Sequence, residues 1–297
     1  MSTSDVSIEN AGNHEAIEAW NGPLFERFVE YREIVTTGLG GLGDAGIELL
    51  QPQPGERVLD IGCGFGDTTQ ALGRLVGAQG AAVGVDAAPR FIELAIAETL
   101  ALGQPAEHVR FAVSDVQLVP FEEQFDCAFS RFGTMFFASP GAAMRNVRRA
   151  LVPGGRMVMV VWRRREDNPW LYRAQQIVEQ IVQRPETYDD PTCGPGPFSM
   201  ANADTVSDIL HYSGFTHISL ERCDRPITMG ADIDQAVDIV MALGPAGEIL
   251  RLQGDRAEHL HAQVRAALEE GFAEFVNADG SVSAMALSWL VSAVAPD

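Results

Sequence analysis

Between Arg57 and Trp162, short apolar runs alternate with longer stretches of helical period, and this alternation sets the expected fold. Val58, Leu59 and Ile61 form the first run, and Ala82–Val85, Val109–Val113, Phe125–Ser130 and Gly155–Trp162 repeat it. Runs of this length fit strands covered on both faces. Helical patterns over Thr68–Val76, Pro89–Leu102 and Pro140–Leu151 separate several of them. Strand and helix in alternation imply right-handed crossovers and a parallel sheet between two helical layers. A ligand is then expected beyond the carboxyl ends of the strands.

The flanking segments follow other patterns. From His14 to Val35 the residues Ile17, Trp20, Leu24, Phe25, Phe28, Tyr31 and Val35 recur at three- and four-residue steps, which predicts helix with a break near Gly22-Pro23. Gly38–Gly43 reads as a flexible joint, after which Asp44 caps a helix to Leu50 that Pro52 and Pro54 end. After Trp162 a helix is predicted over Asn168–Val182, followed by Arg184–Met200, a proline- and glycine-rich loop of the kind that covers functional sites. Asn202 then caps a helix to Tyr212. His217–Ile227 reads as a strand, Asp232–Leu243 and Asp255–Phe275 as helices, and Val282–Val294 as the last strand.

Composition narrows the partners. A chain of 297 residues, 46% apolar, can bury a substantial core, as one large domain or a core with an added lobe. Its formal net charge of −20 repels polyphosphate and anionic lipid, so neither nucleic acid nor a membrane surface is expected as a large partner. The dense basic cluster, Arg163-Arg164-Arg165 with Arg145, Arg148 and Arg149 on a neighbouring helix, reads as a solvated face balancing Glu166 and Asp167 rather than a phosphate site. Cys63, Cys127, Cys193 and Cys223 are scattered, with no C-x-x-C and no metal-ligand spacing, so no disulfide and no metal are expected. Met1–Asn10 is polar and acidic, unlike a signal peptide, and no run approaches the roughly 20 apolar residues of a membrane span. A cytoplasmic protein is expected.

The candidate chemistry centres on Asp60-Ile-Gly-Cys-Gly-Phe-Gly66, where Gly62, Gly64 and Gly66 permit left-handed backbone and close ligand approach. The turn is expected to present backbone N–H groups, with Asp67 and Thr68 capping the next helix. A dinucleotide fingerprint needs a third glycine at the position of Asp67, which weakens a nicotinamide reading. Acids recur at the ends of the next strands, in Gly84-Val-Asp86 and Ser114-Asp115-Val116. Ser130-Arg-Phe-Gly-Thr-Met-Phe-Phe137 follows the fourth strand, and Leu151-Val-Pro-Gly-Gly leads into the fifth.

These motifs, in this order, resemble the class I S-adenosylmethionine-dependent methyltransferases, and most closely the small-molecule enzymes of the ubiquinone and menaquinone biosynthesis type. Trp20-Asn21-Gly22, Ser130-Arg-Phe-Gly133 and Ala242-Leu-Gly-Pro245 are similar to a bacterial subgroup. The resemblance implies an α/β, Rossmann-like, mostly parallel seven-stranded sheet, its last strand antiparallel between the fifth and sixth, plus a helical cap. The core is then 44–228 with 276–297, and 1–43, 163–200 and 229–275 are cap segments over the substrate pocket.

The same resemblance implies S-adenosylmethionine bound by Asp60, Gly62, Cys63, Gly64, Gly66, Thr69, Asp86, Ala87, Asp115, Val116, Ser130 and Arg131. Asp86 would hold the ribose hydroxyls, Asp115 the adenine, and Asp60 the turn and the methionine ammonium. Trp20, Phe132, Met135, Phe136 and Trp162 are the candidate substrate pocket, an apolar one to which Arg131 adds one cation. No general base is assigned, although His14, Tyr31, His211 and His217 titrate. The expected activity is methyl transfer to an O, C or N atom of a small apolar or aromatic metabolite by a monomer or homodimer. The alternatives are a cofactor-binding regulatory protein without turnover and a nicotinamide oxidoreductase.

Overall fold

All seven expected strands form, and they join a single sheet whose order places the glycine turn at its centre. The structure is a computed structural model that describes residues 14, 16–103, 107–122, 124–182 and 195–296. The strands are β1 (Arg57–Ile61), β2 (Ala81–Asp86), β3 (Val109–Val113), β4 (Phe125–Arg131), β5 (Leu151–Trp162), β6 (Thr216–Gly230) and β7 (Val282–Val294). Their spatial order is β3-β2-β1-β4-β5-β7-β6. β1 to β5 pair in parallel, and β7 runs antiparallel to both β5 and β6, as the resemblance implies. The chain lays β2 and β3 on one side of β1 and β4 and β5 on the other, so the switch point lies at the carboxyl ends of β1 and β4.

The helices are α1 (Pro23–Glu30), α2 (Gly40–Leu50), α3 (Asp67–Val76), α4 (Pro89–Ala101), α5 (Pro140–Ala150), α6 (Pro169–Ile181), α7 (Ala203–Tyr212), α8 (Ile233–Leu243), α9 (Pro245–Arg251) and α10 (Arg256–Gly271). Residues 16–21 are also helical, and the break before α1 falls at Gly22 as expected. Proline opens α1, α4, α5, α6 and α9, where its fixed φ suits the first turn and its missing N–H leaves no bond unmade. Asn202 caps α7 by accepting from the N–H groups of Asp204 and Thr205 at 2.9 and 3.3 Å. Leu59, Ile61, Phe125, Phe129 and Met157 are fully buried between the layers. Each such side chain contributes about 1.5–3 kcal/mol by leaving water.

Several expectations need correction. Gly38–Gly43 is not a flexible joint: Ile34–Gly38 is one π-helical turn and α2 already begins at Gly40, so Asp44 lies inside the helix and caps nothing. The glycines serve close packing. A Cβ on Gly43 would stand 2.9 Å from Arg131 Cδ, and one on Gly46 would stand 2.8 Å from a Val160 methyl and 2.9 Å from the Phe129 ring. Pro245 starts α9, a helix that its sequence pattern hid, and the last helix ends at Gly271 before a 3₁₀ turn at Ala273–Phe275. Most of the Arg184–Met200 loop, 184–194 with Cys193, lies outside the described residues, as does Met1–Asn10. The loop's far end docks where Gly196 N–H and Ser199 Oγ both donate to the Met135 carbonyl. Among the described residues no helix is long and apolar enough to cross a membrane.

Candidate functional site

Leaving β1, the chain turns sharply through Gly62, Gly64 and Gly66, which have φ of 66°, 51° and 79°. Side chains rarely adopt this backbone, and the first position also lacks room. A Cβ on Gly62 would lie 2.8 Å from Gly133 Cα, on the turn after β4, so the two turns touch backbone to backbone at the switch point. At Gly64 a Cβ would meet nothing nearer than the Phe91 ring at 3.9 Å, and the turn is open there. The turn's amides are mostly closed on the chain itself, contrary to expectation. Gly62 and Cys63 both donate to the Val85 carbonyl, Gly66 donates to Cys63, and Gly64 donates to Asp86 Oδ2 at 3.1 Å.

Two carboxylates frame this turn. Asp60, 1% exposed, accepts the hydroxyls of Thr68 and Thr69 at 2.7 and 2.6 Å, both on one oxygen, Oδ2. Its Oδ1 is buried without a partner. Burial pushes its pKa up to about 6, against the opposing pull of the two hydroxyls, with the Asp67 charge adding to the rise. Asp86 accepts from Gly64 N–H on Oδ2 and from Ala88 N–H on Oδ1, and burial raises its pKa as well. Each of its oxygens keeps a second lone pair. Asp115 stands one residue beyond Ser114, whose N–H donates to the Asp86 carbonyl, and its own Oδ1 accepts from Gln117 N–H at 3.0 Å.

The other expected cofactor residues divide. Ala87 is half-buried beside Asp86. Val116 is buried, with its carbonyl held by Asn146 Nδ2. Thr69 is fully buried, and its hydroxyl donates to Asp60. With Thr68 it braces the carboxylate, so neither Thr68 nor Asp67 caps α3, whose N-cap is Gly66. The Cys63 thiol is buried and pushed well above its ordinary range by desolvation. Ser130 is buried and donates to the Ile61 carbonyl, tying β4 to the end of β1. Arg131 is not a lone cation, because its Nη2 pairs with Asp67 Oδ2 at 2.8 Å.

Among the expected acceptor residues, Met135 and Trp162 are buried, whereas Phe132, Phe136 and Trp20 are half-buried. Met135 is 1% exposed, and its sulfur accepts from Trp162 N–H, so it belongs to the core. Trp162 stacks on Phe132 with centroids 4.3 Å apart and meets Trp170 edge-on. Phe132 holds a left-handed φ of 60°, a conformation costing about 1–3 kcal/mol at a non-glycine residue, kept in place by its N–H bond to Val160. Phe136 and Trp20 remain half-buried, edge to face at 4.8 Å. A cavity of about 460 Å³ exists elsewhere, between α1 and the late helices, lined by Arg27, Met241, Leu250 and His261 among others.

Sequence reasoning missed what seats the N-terminal helices here. Phe25, Phe65, Ala88 and Phe91 form a small apolar cluster separate from the main core, with Trp20 and Phe28 packed against it. Asn21 Oδ1 accepts the Arg90 N–H at 3.0 Å, supplying α4 with the cap its own sequence lacks. The Arg90 guanidinium lies 4.0 Å over the Phe25 ring, and that of Arg32 pairs with Glu98 and lies 4.6 Å over Phe65. Phe65 belongs to the glycine turn and Phe91 to the first turn of α4, so this packing puts α1 at the carboxyl ends of the strands. The legible signal was the aromatic at the start of α4, Phe91.

Residues 58–155 match a methyltransferase domain family. The chain is similar to a ubiquinone/menaquinone biosynthesis C-methyltransferase of Teredinibacter turnerae, 35% identical over 38% of this chain and 46% of that protein. Such alignments span less than half the length of the curated relatives matched. Among solved structures, the YcgJ protein from Bacillus subtilis superposes with a TM-score of 0.57 at 19% identity, covering 87% of this chain and 99% of that one. A Haemonchus contortus phosphoethanolamine N-methyltransferase 2 in complex with S-adenosyl-L-methionine superposes at 0.51 and 18%, covering 86% and 52%. Both likenesses show the fold.

Proposed function

Residues 58–155 of this chain are a class I S-adenosylmethionine-dependent methyltransferase domain, and from that premise we propose that the protein moves a methyl group to an O, C or N atom of a small, apolar or aromatic metabolite. The observation that carries the reading is the meeting of an open glycine turn, a buried carboxylate with one unpartnered oxygen and a second carboxylate with spare lone pairs at the switch point. A cradle of that make fits the cofactor. Asp60 Oδ1 suits an ammonium, the two oxygens of Asp86 suit vicinal hydroxyls, and Asp115 with Val116 suits an adenine edge. A Cβ at Gly64 would intrude on this cradle.

When bound, the cofactor supplies a sulfonium-activated methyl carbon. The chain's own task is to align an acceptor with it and keep water away, and orientation of that kind provides several orders of magnitude in rate. Phe132, and Phe136 against Trp20, are assigned to the acceptor, and 1–43, 163–200 and 229–275 to the cover. Incubating the protein with methyl-labelled cofactor and a metabolite extract is expected to yield a labelled small molecule, in the presence of a chelator as well as without it. Cofactor binding without any labelled product would favour the regulatory alternative.

Two further outcomes are expected at the carboxylates. Asp86→Ala removes charge-assisted bonds and should weaken cofactor binding by about 1–3 kcal/mol, read by calorimetry. Unchanged affinity would remove Asp86 from the site.

Asp60 makes the site sensitive to pH. Its folded pKa of about 6 lies above the ordinary carboxylate value, so between the two the folded protein holds a proton that the unfolded chain has released. Stability of the ligand-free protein therefore falls as pH rises through that window, and the buried charge is a standing cost above it. Asp60→Asn is expected to raise stability at pH ~7.5 by on the order of 1 kcal/mol and to lose that advantage near pH ~4. Cofactor affinity in the unmodified protein should decline as pH drops below about 6, where Asp60 loses the charge that attracts an ammonium. Thermal unfolding and calorimetry at several pH values check both.

A further inference from the structure

The basic residues that the sequence groups together are divided in the fold. Arg163 pairs with Asp167 and Asp224, and Arg165 with Glu166, so the acids expected to neutralise the whole cluster serve these two. On α5, Arg145, Arg148 and Arg149 have no carboxylate partner among the described residues, although the chain carries 41 acidic side chains. Their spacing makes this costly. Residues three and four apart share a helix face, where like charges destabilise the helix. A complementary interaction of Arg148 and Arg149 with the carboxyl end of α5 explains the last turn but not Arg145, which lies before it.

The three arginines line one concavity of about 240 Å³, closed on its other side by Tyr212, Ser213 and Gly214 at the end of α7. Its walls are fixed from below. Asn146, on the buried face of α5, donates to the carbonyls of Val116 and Val119. Ser213, 4% exposed, donates its hydroxyl to the Gly141 carbonyl, and Arg148 Nε donates to the Gly214 carbonyl at 3.2 Å. Gly214 has a φ of 91°, and a Cβ there would stand 3.0 Å from Arg148 Nε, so glycine lets the arginine lie against this turn. Arg145, Arg149 and the Tyr212 ring are exposed. α5 and α7 both end where β5 and β6 begin, so the concavity lies at the opposite end of the sheet from the glycine turn.

We propose that this concavity is a second binding site, one that takes a small phosphorylated ligand. Guanidinium groups bind phosphate oxygens through paired, charge-assisted hydrogen bonds, and an anion set among the three arginines would remove their mutual repulsion. The surrounding surface, at a net charge of −20, repels polyanions, which suits a compact ligand better than a nucleic acid.

The test uses inorganic pyrophosphate as the probe, titrated by calorimetry into the full chain at low ionic strength in a buffer free of phosphate and sulfate. Saturable binding to one site is expected, about tenfold weaker in Arg145→Gln and again in Arg149→Gln, and unchanged in Asp86→Ala. Both arginines are exposed, so their variants should keep the wild-type circular dichroism. Absence of saturable binding, wild-type affinity in both arginine variants, or loss of binding in Asp86→Ala would each overturn the proposal. So would equal binding of acetate at matched ionic strength, or binding of poly-glutamate but not pyrophosphate, the latter pointing to an acidic protein partner.

Discussion

Gly62→Ala is expected to unfold the centre of the protein, whereas Gly64→Ala should leave it folded with a weakened hold on the cofactor. The two glycines are two residues apart, and both have positive φ. Only their surroundings differ. At Gly62 a methyl group would sit 2.8 Å from the Gly133 backbone, and neither turn has a flexible side chain there to give way. Backbone strain and overpacking together should cost on the order of 3 kcal/mol or more, enough to lower the unfolding midpoint sharply. At Gly64 the methyl would enter open space, so the stability cost should stay near the ~1–2 kcal/mol of the left-handed backbone alone. Its effect should instead fall on the cofactor, whose affinity is expected to drop by about 1–3 kcal/mol as the cradle fills. Chemical denaturation and calorimetry on both variants check the contrast, and similar behaviour of the two would show the turn to be a packing feature alone.

Deleting residues 1–35 should abolish methyl transfer and leave the sheet folded. Phe25 with Phe65, Ala88 and Phe91 forms a cluster distinct from the core that holds the sheet, so losing the N-terminal helices strips that cluster without opening the main one. What goes with it is the cover: Trp20 against Phe136, Asn21 capping α4, and Arg32 over Phe65. Turnover is expected to fall by about a hundredfold or more, as it does when a reacting pair is no longer held in line. Cofactor binding should weaken too, since α4 begins three residues after Asp86 and loses its borrowed cap. Trp20→Ala, a milder change, should lower the rate in the same direction. Labelled-methyl transfer with circular dichroism on the same samples checks this, and full activity of the truncated chain would remove these helices from the cover.

The fold was legible because its determinants are local and repeated. Apolar runs such as Val58–Ile61 and Phe125–Ser130 became strands, and Asn202 capped its helix as its side chain requires. The first turn of the helix at Gly40–Leu50 was not legible because glycine disfavours helix by propensity, and here the close approach of Gly43 and Gly46 to Arg131, Phe129 and Val160 overrides that preference. At the site, residue types were visible and their partners were not. Nothing in the sequence says that Thr68 and Thr69 both turn to Asp60, that Asp67 takes Arg131, or that the turn's amides are closed on Val85 and Asp86. The first is set by the geometry of the turn itself, the others by the order of strands in the sheet. The same applies to the aromatic platform, where Met135 and Trp162 are core residues and Phe136 with Trp20 is the half-open edge.

Whether the glycine turn with Asp60 and Asp86 is a cofactor site of the methyltransferase kind is decided by titration calorimetry of S-adenosylhomocysteine into the intact chain. Saturable binding at one site per chain is expected, weakened in Asp86→Ala, weakened further at pH values below about 6, and not displaced by a nicotinamide dinucleotide. No binding by the intact, folded protein, or ready displacement by the dinucleotide, would contradict it.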